Sequence, residues 1–292
     1  MFDTLVEQWG GPTGFASSVG VQRLHGRLPD GVAESLITWD AIEELMRWHR
    51  LGPPHLKVVH TQGRKVNPVH YLDCDSDPRR ASNPRVDPVR LRAVLAGGAT
   101  LVIDGIEEML PAIGETAAEL SALCGELVQA NLYATRGDTP AFQPHWDVID
   151  VMAVQVEGEK HWDVYGPGTL HPISASVDPD NTRPVEPVWS GVLRAGDVLY
   201  VPRGWWHGVC GTGGSSIHLS YGFQRRTGLS YLSWLTEFAR HAAPLREDLP
   251  RAGGPEELER HAKVLAECLH QLLREHPLSD YLDHHAAAVA PR

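Results

Sequence analysis

The chain has 292 residues, a formal net charge of −11 and 42% hydrophobic residues. That is enough chain for one large domain, or for a domain with a smaller appendage, around a real core. The acidic balance, without any lysine-rich run, gives no strong nucleic-acid signal, and no run of about 18 apolar residues is available to cross a membrane.

Taken in chain order, residues 1–35 read as a short helix followed by irregular structure, punctuated at Gly10-Gly11-Pro12. The N-terminus has no positively charged leader ahead of an apolar block, so a cytoplasmic protein is expected. Cys74, Cys124, Cys210 and Cys268 lie far apart and read as reduced thiols. Asp40 to Arg50 predicts a helix, with Asp40 and Glu43 as a capping box and Ile42, Leu45, Met46 and His49 on one face. His55–His60 predicts a strand. Residues 73–88, rich in Asp, Pro, Ser and Arg, predict a surface loop in which Arg79 and Arg80 are solvated. Asp87-Pro88 opens a second helix, Gly97-Gly98 stops it, and Thr100–Ile106 follows as a buried strand. Thr116 to Ala130 predicts a helix with Thr116 and Glu119 as its capping box. Its apolar stripe is Leu120, Leu123, Cys124, Leu127 and Val128, which gives Cys124 a packing role.

The pattern then changes to strands. Asn131–Thr135, Val148–Val156, Lys160–Tyr165, Val192–Leu193, Val198–Val201 and Ser216–Phe223 are short and separated by turn residues, which predicts a barrel or sandwich. Val148–Val156 is nearly all apolar, as a strand covered on both faces would be. Residues 166–190 form a long polar connection of the kind that often carries function. Leu229–His241 and Pro255–Glu275 return to helix. On the second, Leu258, Ala262, Leu265, Leu269 and Leu272 form a stripe that packs either on its own chain or on a second copy.

The chemistry concentrates between residues 145 and 207. In a strand, residues i and i+2 share a face, so His145 and Asp147 project side by side. A paired strand can bring His207 to the same point. Two imidazoles and one carboxylate on one face of a metal leave the other face open, an arrangement suited to non-haem Fe(II) that also binds a co-substrate and oxygen.

The segments Asn131-Leu-Tyr-Ala-Thr135, His145-Trp-Asp147, Gln155-Val-Glu-Gly-Glu-Lys-His-Trp162 and Gly196-Asp-Val-Leu-Tyr-Val-Pro-Arg-Gly-Trp-Trp-His207 together resemble the JmjC-type cupins. They look closest to the ribosomal-oxygenase branch of the 2-oxoglutarate-dependent hydroxylases, over roughly residues 1–224. The resemblance implies a mainly β fold with flanking helices, its core a double-stranded β-helix of the jelly-roll type. It implies Fe(II) held by His145, Asp147 and His207, with 2-oxoglutarate as co-substrate and O2 as oxidant. The distal carboxylate would meet Lys160, with Tyr133 and Ser220 as hydroxyl donors and Asn131 as a further contact. Where this chain has Ser220 the family often has Thr. The region 225–292 resembles the family's dimerisation helices, so a homodimer is expected, and the winged helix usual in ribosomal oxygenases is not expected.

Each residue also has a plainer reading. Lys160 is either the cation for a dianion or an edge-strand lysine in water, and burial without an anion would be costly. Asn131 and Ser220 either touch the co-substrate or cap backbone and fill the barrel. Trp162, Trp205 and Trp206 either line a cleft or pack a core, and His161 and His218 read as structural histidines. The implied activity is hydroxylation of an amino-acid side chain in a protein, a peptide or a biosynthetic intermediate. The alternatives are a non-oxidative metal-binding cupin and a JmjC demethylase.

Overall fold

The computed structural model describes residues 1–49, 51–73, 85–173, 182–223 and 225–289. Most of the expected 73–88 loop, with Cys74, Arg79 and Arg80, lies outside the described residues, as does the middle of the 166–190 connection. The chain divides into two compact units, Met1–Gln224 and Arg225–Arg292.

The first unit opens with helices α1 (Asp3–Gln8) and α2 (Gly11–Ser18) and strand β1 (Leu24–Arg27). Helix α3 (Trp39–Trp48) buries Ile42, Leu45 and Met46 as the periodicity predicts. Its cap differs: the Thr38 side chain accepts from the Ala41 N–H at 3.2 Å. Asp40 is the second residue of the helix, in the first turn, where a carboxylate faces the positive helix end, and His49 lies exposed beyond the C-terminus. After β2 (Leu56–His60), β3 (Arg64–Lys65), β4 (Leu72–Asp73) and β5 (Arg85–Val86) comes α4 (Pro88–Ala96). There the Asp87 carboxylate accepts from the N–H groups of Val89 and Arg90, the cap expected of that Asp-Pro pair.

Strand β6 is Thr100–Asp104. The next helix, α5, runs Pro111–Cys124, five residues ahead of the expected start. Proline at the helix start loses no useful hydrogen bond and arrives with helical φ. Thr116 is therefore interior: it is buried, and its hydroxyl donates back to the Ala112 carbonyl at 2.7 Å. Gly125, at φ 68°, ends the helix in the left-handed region. Leu127 is consequently exposed and Val128 begins a strand, so neither belongs to the helical stripe. Cys124 does pack against the core.

The remaining strands are β7 (Val128–Arg136), β8 (Asp150–Glu157), β9 (Glu159–Pro167), β10 (Trp189–Arg194), β11 (Asp197–Val201), β12 (Trp205–Gly211) and β13 (Ser215–Phe223). They form an eight-stranded sheet in the order β1-β11-β8-β13-β7-β6-β2-β3, and a three-stranded sheet in the order β10-β9-β12. Every pairing within them is antiparallel. The apolar run of β8 is explained by its two packed faces. Met152, Val154 and Val156 join the large core under the helices, while Ala153 joins a smaller core with Trp162, Val164 and Leu193 of the second sheet.

The second unit contains α6 (Gly228–Ala239), α7 (Pro255–Glu275) and α8 (Leu278–Val289). Thr227 and Ser230 cap α6 reciprocally. Tyr231, Trp234, Phe238, His276 and Tyr281 form a contiguous aromatic cluster within this unit. No helix among the described residues is long and apolar enough to cross a membrane.

Candidate active site

A cavity of about 320 Å³ opens between the two sheets of the first unit. His145, Asp147, His207, Lys160, Tyr133 and Ser220 all line it. Asn131 does not. It lies on the same face of β7 as Tyr133, but its side-chain oxygen accepts from the Gly105 N–H at 3.2 Å.

The backbone brings the two halves of the metal-ligand motif together. His145 and His207 form an isolated antiparallel bridge, with N–H···O distances of 2.9 and 2.7 Å. Gly204 N–H donates to the Asp147 carbonyl at 2.8 Å, which pins the other end of the triplet. A bulge between Trp206 and His207 sets the latter's direction. The two imidazole centroids are 4.5 Å apart, and His207 Nε2 lies 3.5 Å from Asp147 Oδ2. One ligand atom from each of the three residues lies within 4.8 Å of the others. The Nδ1 of His145 is 3.0 Å from the Gln143 carbonyl, and that of His207 is 3.1 Å from the Trp205 carbonyl. Those carbonyls hold the proton on Nδ1 and leave both Nε2 lone pairs free, as metal-ligating histidines require. Burial, then the nearby His145, pushes His207 down to about 4, against the opposing pull of Asp147 and of the bond to Trp205. A neutral imidazole is the form that ligates a metal.

Lys160, on β9, reaches from the small sheet to the large one. It is buried, and its ammonium contacts the Tyr133 carbonyl at 3.3 Å and His218 Nδ1 at 2.7 Å. No carboxylate pairs with it among the described residues, and burial alone pushes its pKa down to about 7. The other lysine on the cavity wall, Lys57, is paired at 2.6 Å with Asp104. Arg194 is bound to Glu159, Arg203 contacts His171, and neither lines the cavity. Burial, then Asp147 and Asp104, raises the Tyr133 hydroxyl, so it remains a neutral donor.

Trp162 is buried on the cavity wall, stacked on His207 with centroids 6.0 Å apart. Trp205 packs against the small core, and Trp206 does not line the cavity. His161 is away from the cavity, bonded to Ser190 at 3.1 Å. His218, read from sequence as structural, is a wall residue in contact with Lys160. The available signal was strand alternation, which puts it on the same face as Ser220.

Residues 111–231 match the family model of the JmjC domain. Ribosomal oxygenase 1 of Gallus gallus is 38% identical over 130 residues, covering 43% of this chain and 22% of that protein. Ribosomal oxygenase 1 of Rattus norvegicus is 30% identical over 201 residues, covering 65% of this chain and 33% of that protein. The bifunctional lysine-specific demethylase and histidyl-hydroxylase NO66 of Drosophila persimilis is 34% identical over 131 residues, 44% of this chain and 19% of that protein. The chain thus spans between 19% and 33% of the length of these three relatives. Among solved structures, Escherichia coli YcfD superposes with a TM-score of 0.55 at 16% identity, over 89% of this chain and 67% of that one. A structure of the same ribosomal oxygenase in complex with cobalt and 2-oxoglutarate superposes with a TM-score of 0.54 at 15% identity, over 89% and 66%. These likenesses carry the fold, a JmjC-type cupin.

Proposed function

We propose that the chain is a JmjC-domain cupin of the ribosomal-oxygenase branch and an Fe(II)- and 2-oxoglutarate-dependent hydroxylase acting on an amino-acid side chain. The observation that carries this reading is the pairing, in one cavity, of a two-histidine, one-carboxylate set with a buried lysine that has no carboxylate partner among the described residues. The first suits a non-haem ferrous ion with open positions. The second suits the far end of a dianion, because a buried cation without an anion is otherwise costly. A non-oxidative cupin would need no such cation.

In this reading His145, Asp147 and His207 hold the metal, and Lys160, Tyr133 and Ser220 hold the distal carboxylate. When bound, the metal and the keto acid supply the oxidising equivalent that inserts one oxygen of O2 into a C–H bond, with succinate and carbon dioxide as co-products. The chain's own contribution is placement. The carbonyls of Gln143 and Trp205 fix both imidazole rings. Trp162 walls the metal side with an apolar face that excludes water.

The relatives' names point to a protein substrate, with a ribosomal protein as the first to test. Incubation with 2-oxoglutarate, Fe(II) and ribosomal proteins should release succinate and add the mass of one oxygen to a peptide. A second reading, demethylation, is favoured by the name of the Drosophila relative. It predicts formaldehyde and loss of a methylene mass instead. Succinate release uncoupled from either change on every protein substrate would count against both.

Lys160 makes the co-substrate affinity pH-dependent. Without ligand its pKa is about 7, and a neighbouring carboxylate favours the ammonium and raises that value. Binding therefore takes up a proton above about pH 7. Affinity for 2-oxoglutarate should be flat below that point and fall above it, by up to about tenfold per pH unit. Calorimetric titration of the metal-loaded protein between pH 6 and 9 checks this, and affinity that rises with pH would contradict it.

We also propose that the second unit is a homodimer contact. On α7, Leu258, Leu269 and Leu273 are exposed, at 51%, 51% and 40% of their surface. Leu258 and Leu269 share one helical face, and closed two-fold pairs are the commonest way soluble chains cover such a face. Leu265 is half-buried and Leu272 buried, so the inner side of the predicted stripe packs within the chain. Leu258→Glu with Leu269→Glu should yield a monomer by light scattering, with the metal content unchanged. A wild-type mass of one chain at micromolar concentration would refute the dimer.

A further inference from the structure

The reading of the cavity as a 2-oxoglutarate site leaves His218 unexplained, and the inference here rests on that reading. Lys160 arrives from β9 of the small sheet, and the two groups that accept from its ammonium belong to the large one: the Tyr133 carbonyl on β7 and His218 Nδ1 on β13. Tyr133 and His218 are directly opposite in the β7–β13 register. Their rings stack, with centroids 4.7 Å apart and planes 4° from parallel. The edge of Trp162 closes the far side of the His218 ring, at 5.7 Å and 74°. A bulge in the β13–β8 pairing falls between Ile217 and His218, where such irregularities re-aim a side chain. His218 is therefore clamped by three neighbours and cannot swing away from Lys160.

We infer that His218 is the positioning residue of the co-substrate site, acting through both of the groups that would hold the distal carboxylate. An ammonium has three N–H donors. The Tyr133 carbonyl takes one and His218 Nδ1 takes the second, leaving a single donor for the cavity that Lys160 lines. The shared stack also fixes the plane of the Tyr133 ring and hence the line of its hydroxyl. Preorganisation of this kind lowers the ordering cost of binding. A structural histidine would need only to fill its space, whereas a positioning one must present an acceptor at Nδ1. That requires the tautomer protonated at Nε2, the opposite of the tautomer assigned to His145 and His207 by their carbonyl partners.

Two substitutions separate acceptor from shape. His218→Phe keeps a stacking ring and removes the acceptor. His218→Asn keeps an acceptor oxygen near the place of Nδ1 and removes the ring. Calorimetric binding of 2-oxoglutarate to the Mn(II)-loaded full chain reads affinity without turnover. His218→Phe should weaken binding at least about tenfold, while metal affinity stays at the wild-type value and, in turnover, KM for 2-oxoglutarate rises more than kcat falls. His218→Asn should recover most of that loss. Phe binding as tightly as wild type, or Asn as weakly as Phe, would overturn the assignment. Should a variant fail to fold, nitrogen NMR of the wild-type protein decides: a neutral ring protonated at Nε2 is expected, and a proton on Nδ1 at pH 7 overturns it. No binding of 2-oxoglutarate to wild type would bring down the co-substrate reading itself. Wild-type binding together with an indifferent Phe variant would bring down only the role of His218.

Discussion

Replacement of His145 or Asp147 by alanine is expected to abolish metal binding and turnover together. Loss of a group that merely orients a ligand typically costs ten- to a hundredfold in metal affinity, so loss of a ligand itself should exceed about a hundredfold. The reason is visible in the cavity. The three donor atoms lie within 4.8 Å of one another on backbone already stitched by the 145–207 bridge. Removing one side chain leaves that backbone intact and only two converging donors, since His145, Asp147 and His207 are the one group of metal-ligating side chains that converges on this point among the described residues. The variants should therefore fold normally and elute without iron. His207→Ala should behave the same way, and full iron occupancy in that protein by elemental analysis would contradict the assignment.

The second large effect is expected at Lys160. Lys160→Ala should raise the 2-oxoglutarate requirement with little change in iron affinity. Truncating one partner of a buried charge pair costs about 2–5 kcal/mol, which corresponds to about thirtyfold to a few thousandfold in affinity. In the unliganded chain this lysine has no carboxylate partner among the described residues and only the bonds to the Tyr133 carbonyl and His218 Nδ1, so the loss of apo stability should be small beside the loss of 2-oxoglutarate affinity. If 2-oxoglutarate binds as in wild type, another cation holds it. Lys57 is then the one to test, since it lines the cavity, whereas Arg194 and Arg203 do not.

How much of this was legible in the sequence depends on whether a feature is local. The His-x-Asp triplet could be read because an i, i+2 spacing on extended backbone is a short-range rule, although the structure gives the triplet only an isolated bridge at His145 and starts β8 at Asp150, and the turn residues before Trp205 announce the second strand. The cap at Asp87 could be read for the same reason. The α5 helix departs from its expected start because Thr116 and Glu119 imitate a cap, while Pro111 and Gly125 mark the true ends. Asn131 shows the limit of alternation. The rule puts it on the Tyr133 face, but only the sheet geometry reveals that the cavity stops short of it and that Gly105 claims its oxygen. The Lys160–His218 contact joins residues 58 apart on different sheets, and no periodicity in one strand encodes a partner in another.

The central claim is that one cavity holds a metal at His145, Asp147 and His207 and a 2-oxo dicarboxylate anchored at Lys160. It is tested most directly by titrating 2-oxoglutarate into the Fe(II)-loaded protein without oxygen and following the visible charge-transfer absorption of a ferrous keto-acid chelate. The wild-type protein should develop the band and saturate at about one equivalent per chain. The Lys160→Ala protein should develop the same band only at much higher 2-oxoglutarate, and the Asp147→Ala protein none. An iron-replete wild-type protein that shows no band at saturating 2-oxoglutarate would contradict the account.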